Sequence, residues 1–169
     1  METKFYGISL LEVVLSVALL MLILTMSMPL FVMHKRLFVK AELENIYGLM
    51  LYLQRKASVE CSIQTLVFNT SNTTYSINNT AATSKLAQDV IFAQPRFTHN
   101  KSFKRDQLER PTSFKNGTVY FYPDGTITAG TLFLTDSKHS CAYALTCGVA
   151  QIGFIRKYRF SGDTWAILN

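Results

Sequence analysis

The chain has 169 residues and a mass of 19.1 kDa, with 49% hydrophobic, 17% charged and 12% aromatic side chains. That is room for one domain with an appendage, and the mix excludes a disordered tail, a collagen-like repeat and a disulfide-dense miniprotein. Seventeen basic against 11 acidic side chains give a net charge of +6, and leaving out residues 1–33, with Lys4, Glu2 and Glu12, turns those counts into 16 and 9. A greasy N-terminal segment therefore precedes a basic domain of ordinary polarity, which argues against a conventional cytosolic enzyme.

The chain opens with a short polar stretch, Met1 to Tyr6, followed by Gly7 and an apolar run that continues to Met33 and is broken by one ionisable group, Glu12. As a helix, such a run is long enough to cross a bilayer core of roughly 30 Å. A cleaved secretory signal has a shorter apolar region that ends in small residues, which this segment lacks. A plain anchor accounts for the length and leaves Glu12 unexplained, since a carboxylate in hydrocarbon costs about 2.5–3.5 kcal/mol and usually has a partner. Cutting after Gly7 would create an α-amino group at Ile8 that could pair with Glu12 of a neighbouring subunit. Lys35, Arg36 and Lys40 follow the segment, so a positive-inside count points to the opposite orientation.

Gly7-Ile8-Ser9-Leu10-Leu11-Glu12-Val13-Val14-Leu15-Ser16-Val17-Ala18 resembles the N-terminal signal of type IV prepilins and type II secretion pseudopilins. The resemblance implies cleavage between Gly7 and Ile8 by a prepilin peptidase, N-methylation of Ile8, and subunit alignment through Glu12. It places Pro29 where pilin helices bend, and proline deletes a helix hydrogen bond in any case. It further implies a single-pass inner (cytoplasmic) membrane protein with an extracytoplasmic head, a filament once assembled, and other pilin or pseudopilin subunits as partners. The implied domains are a leader (1–7), a transmembrane or filament-core helix (8–33), its amphipathic continuation (34–60) and a β-rich head (61–169).

Val39, Leu43, Ile46, Met50, Leu53 and Ala57 recur at spacings of four and three, the stripe of an amphipathic helix. The spacing predicts one helix from about Ser9 to Ser58, softened near Pro29. From Cys61 the period becomes two. Strands are predicted over Ser62–Phe68, Thr73–Ile77, Val90–Phe92, Thr118–Tyr122, Thr131–Thr135, Ala142–Thr146, Gly153–Phe160 and Trp165–Leu168. Asn78 to Gln88 reads as a loop, Gln94 to Lys115 as an irregular crossing, and Pro123-Asp124-Gly125 as a tight turn. The expected class is α+β and pilin-like: a long N-terminal helix, transmembrane in its first half and amphipathic in its second, packed against an antiparallel sheet. Phe121-Tyr122-Pro123-Asp124-Gly125-Thr126-Ile127 and the later Gly153-Phe154-Ile155-Arg156-Lys157-Tyr158-Arg159 resemble GspH/FimT-type minor pseudopilins, the second also competence pseudopilins.

Three cysteines are an odd count. In an extracytoplasmic head Cys141 and Cys147 could form a disulfide, the favoured pairing, although Cys61 could bridge to either. His139 adds a third ligand type near that pair, but no paired C-x2-C spacing supports a metal. No nucleophile, P-loop or dinucleotide motif occurs, so neither catalysis nor a cofactor is expected. His34, His99 and His139 read as solvated, and Asp124 as a turn cap. Basic residues cluster at Arg96, Lys101, Lys104, Arg105 and Arg110, and again at Arg156, Lys157 and Arg159 beside Tyr158 and Phe160. Such patches can hold phosphates and stack bases. The expected function is thus a structural subunit of a type II secretion or type IV pilus-like filament, with a DNA-binding minor pilin for natural transformation as the alternative.

Overall fold

The structure, a computed structural model, describes residues 9–78, 83–94, 110–148, 153–161 and 164–168, and the side chains of 26–35 lie outside that set. The chain divides into two compact units, Met1–Lys35 and Arg36–Asn169. Helical backbone, α1, runs Leu10–Val59. Its described side chains form two stretches of about 16 and about 24 residues, over 10–25 in the first unit and from Arg36 to the helix end in the second.

This corrects the expected pilin-like class. No helix among the described residues is long and apolar enough to cross a membrane. The described apolar side chains of its first part cover about 16 residues, 10–25, fewer than the roughly 20 that a spanning helix needs. The transmembrane first half and the single-pass inner-membrane placement are accordingly not supported. Nine strands among the described residues also form two antiparallel sheets, where the expectation is one. The bend expected at Pro29 lies outside the described side chains.

In the second unit the helical stripe is the centre of the core. Val39, Leu43, Ile46, Met50, Leu53 and Ala57 are all essentially inaccessible to solvent. The helix ends because Cys61 takes a left-handed conformation (φ 49°) and the Ser62 N–H reaches back to the Ala57 carbonyl at 3.2 Å. That is the wrap that normally favours glycine at this place.

The first sheet has the order β3-β2-β1-β5, built from β1 (Gln64–Asn69), β2 (Thr74–Ile77), β3 (Thr83–Lys85) and β5 (Thr118–Phe121). Period two works as expected: Gln64, Leu66 and Phe68 point inward on β1, as do Val119 and Phe121 on β5. Asn69 closes the β1–β2 turn by accepting the N–H groups of Ser71 and Asn72 on its Oδ1. The second sheet has the order β4-β6-β7-β8-β9, from β4 (Val90–Ile91), β6 (Gly130–Asp136), β7 (Ala142–Gly148), β8 (Phe154–Ser161) and β9 (Thr164–Leu168). Leu132 pairs with Leu145 and Leu134 with Tyr143, and all four belong to the core around the helix. On the other face of this sheet Phe133 and Ala144 are buried as well, with Trp165 packed 5.8 Å from the Phe133 ring and 5.3 Å from Phe160.

Three polar contacts pin the helix to the strands and loops. Gln54 donates from Nε2 to the carbonyls of Gly125 and Gly153, both at 3.0 Å. Glu42 accepts the Ala87 N–H at 2.9 Å. Glu44 pairs with Lys157 of β8 at 2.9 Å. Apolar burial carries most of the stability here, so Leu53→Ala should cost about 2–5 kcal/mol, whereas Gln54→Ala should cost about 1–3 kcal/mol by stranding two carbonyls. Urea unfolding of both variants checks that order.

Candidate functional site

Two regions carry the features singled out in the sequence: the start of α1 and the basic strand β8. At the start of α1, Gly7 and Ile8 lie outside the described residues. Ser9 precedes the helix and Glu12 sits in its first turn. The Glu12 N–H donates to the Ser9 carbonyl at 3.0 Å and, more weakly, to Ser9 Oγ at 3.4 Å. Ser9 thus sits at the N-cap of α1, and Glu12 places its acid in the first turn, at the positive end of the helix. That position gives Glu12 a local role besides any intermolecular one. Glu12 itself is exposed. So are the apolar side chains that follow, from Leu10 at 84% to Val13 at 50%, on every face of the helix to Ile23.

On β8 the pleat separates the three cations. Cross-strand partners share a face, so Lys157 and Arg159, opposite Leu145 and Tyr143, lie on the helix-covered side, and Arg156 lies on the other. Lys157 is committed: Nζ sits 2.9 and 3.0 Å from the two Glu44 carboxylate oxygens and 4.6 Å from the Tyr47 ring centroid, with 13% of its side chain exposed. A cation held this way is neutralised inside the protein and leaves a phosphate-binding role to its neighbours. Arg156 stacks over Phe154 at 4.6 Å. Arg159 is exposed. Lys104 and Arg105, like Arg96 and Lys101, lie outside the described residues. Arg110 is placed with Lys115 at a cleft of about 740 Å³ next to the end of β1, which sequence reasoning had no signal for.

All three cysteines are free thiols. The expected Cys141–Cys147 disulfide is a correction. Cys141 immediately precedes β7 and Cys147 is its next-to-last residue, six residues along an extended strand, so their Cα atoms stand roughly 20 Å from each other at about 3.3 Å per residue, whereas a bridge needs about 4.4–6.8 Å. Cys141 belongs instead to the turn after β6. There the buried Asp136 carboxylate accepts the N–H groups of Ser140 (2.7 Å) and Cys141 (3.0 Å) and the Ser140 hydroxyl (2.9 Å). Burial alone would push that carboxyl up, but these donors outweigh it and hold it below the usual aspartate value. Burial, with Asp136 beside it, pushes the Cys141 thiol up to about 11, and burial alone pushes Cys147 up to about 12.

His139 is not simply solvated, since its Nδ1 is buried without a hydrogen-bond partner. No three His, Cys, Asp or Glu side chains among the described residues converge as metal ligands. Asp124 does cap its turn: Oδ1 accepts the Thr126 hydroxyl at 2.6 Å and its N–H at 2.9 Å, which lowers its pKa. Comparison with family models, with curated proteins and with solved structures finds no match to this chain.

Thiol chemistry gives a direct check of this site. Iodoacetamide at pH 8 should alkylate the exposed Cys61 fastest, with Cys141 and Cys147 reacting at least about 100-fold more slowly until the chain is unfolded, because the thiolate is the nucleophile. Peptide mass mapping after partial labelling reads the three rates separately.

Proposed function

We propose that this chain is a structural subunit of a type II secretion or type IV pilus-like filament, cut by a prepilin peptidase between Gly7 and Ile8 and held in the assembly by its N-terminal helix. The observation that carries the reading is the apolar surface of 10–23, exposed around the whole helix and continuous in a way that soluble monomers do not tolerate. Neighbouring copies of the same helix are the cover proposed for it. Leu10, Leu11, Val13, Val14, Leu15 and Val17 offer a hydrophobic seam, and Glu12 offers one fixed charge within it.

Glu12 then acts twice. Within the chain its charge sits at the positive end of α1, and between chains it meets the α-amino group that cleavage creates at Ile8 of a neighbour. The pair would form only in the correct axial register, since one residue of slip along a helix moves the charge by about 1.5 Å. The seam supplies affinity and the charge supplies alignment. In this reading methylation of Ile8 leaves the amine cationic and adds apolar surface. The head contributes position and partner choice, with no chemical step of its own.

The test is the fraction of protein recovered in sheared filaments from cells that make the rest of the machine. Glu12→Ala and Glu12→Gln should both lower incorporation by about tenfold or more, as loss of a desolvated charge pair would, while the head keeps its near-UV circular dichroism. Normal incorporation of both variants would overturn the proposed role of Glu12 in assembly.

A further inference from the structure

The two sheets end in four edge strands among the described residues: β3 and β5 in the first sheet, β4 and β9 in the second. Exposed edges are templates for unwanted pairing, and proteins usually blunt them. Three of these are blunted. β3 has three residues and ends in Lys85, and β4 has two residues. β5 is covered on its outer side: the Thr128 N–H donates to the Tyr120 carbonyl at 3.0 Å, and the Tyr120 N–H donates to Thr128 Oγ1 at 3.2 Å.

β9 is the exception. It has five residues, Thr164-Trp165-Ala166-Ile167-Leu168, with no charge and no proline, and no second strand lies beside it among the described residues. Its two faces differ. On one, Trp165 packs against Phe160 and Phe133, and Ile167, 57% exposed, extends the apolar surface to the edge. On the other, Ala166 pairs in register with Arg159 of β8. Ala166 puts only a methyl group between the Arg159 position and a further strand. Strands lie about 4.8 Å apart, so a glutamate two strands from Arg159 is within reach across the alanine. Arg159 and Arg156 have no carboxylate partner among the described residues, unlike Lys157.

We propose that β9 is a docking edge that accepts an extended segment of a partner protein, adding a sixth strand to the second sheet through its main chain. The accepted segment alternates acidic and apolar side chains: the acids lie over Ala166 toward Arg159, and the apolar residues lie beside Trp165 and Ile167. Main-chain hydrogen bonds supply affinity and the alternating faces supply selectivity, as in other strand additions. Charge selects an acidic segment over a second copy of this chain, because each copy carries +6 and would bring its own Arg159 to the same seam. This inference is independent of the filament reading.

Trp165 is the single tryptophan, so its emission reports directly on the edge. The full chain in mild detergent is titrated with a blocked Val-Glu-Val-Glu-Val-Glu-Val peptide, with the same peptide carrying Lys for Glu, and with two versions N-methylated at alternate residues. A saturable emission change is expected for the Glu peptide, with affinity at least about tenfold above the Lys peptide. Arg159→Glu should reverse that preference, and one of the two N-methylated phases should lose binding, because only alternate N–H groups face β9. No response up to about 1 mM peptide, an equal response to both charges, an unchanged preference in Arg159→Glu, or equal binding by both methylated phases would overturn the proposal. Emission that changes with protein concentration alone, matched by dimerisation in light scattering and abolished by Ile167→Lys, would also overturn it by making a second copy the occupant.

Discussion

The apolar stripe of α1 between Val39 and Ala57 is the contact on which the second unit depends. Six residues spaced four and three apart are essentially inaccessible to solvent and share one core with residues of both sheets. Neither sheet is self-sufficient. β1 and β5 bury only one face, and β6 and β7 have their inner face capped by the helix. The polar pins at Glu42, Glu44 and Gln54 then fix where along the helix each sheet sits. They are few and specific, so they set register where the stripe sets affinity.

The same helical backbone carries a second apolar surface with the opposite fate. The residues of 10–23 have the composition of a core and the exposure of a surface. Burying that much apolar area is favourable at roughly 25 cal/mol per Å², so the molecule is incomplete in water, and this incompleteness motivates the assembly reading. The first turn of α1 adds a point of economy. The Ser9 hydroxyl accepts the Glu12 N–H, and the Glu12 carboxylate remains exposed at the positive end of the helix, where another chain can use it.

Much of the head was legible in the sequence because it obeys short-range rules. The strand positions follow from period-two runs, with Pro123–Gly125 marking a turn by local chemistry. β3 was read as loop because Thr83-Ser84-Lys85 is polar and fully exposed, so no hydrophobic alternation marks it. The division into two sheets was hidden for a different reason, since periodicity identifies a strand but not its neighbour. The same limit applies to the basic strand. Alternation separates Arg156 from Lys157, but the Glu44 that neutralises Lys157 is 113 residues away. Cys141 and Cys147 are close in sequence and far apart in space, because the strand that connects them is the most extended path a chain can follow. Ser9 at the N-cap is legible only once the start of the helix is fixed, because within the apolar run Glu12 reads simply as a charge. The membrane-crossing first half was inferred from the length of that run, and the described helix does not supply it.

Maturation at Gly7–Ile8 is the claim from which the intermolecular role of Glu12 follows, and an intact mass of the native chain recovered from its producing cells tests it most directly. The account predicts a mass for a polypeptide that begins at Ile8, carries one methyl group, and has three reduced thiols. A native chain that still begins at Met1 in the assembled fraction would contradict it.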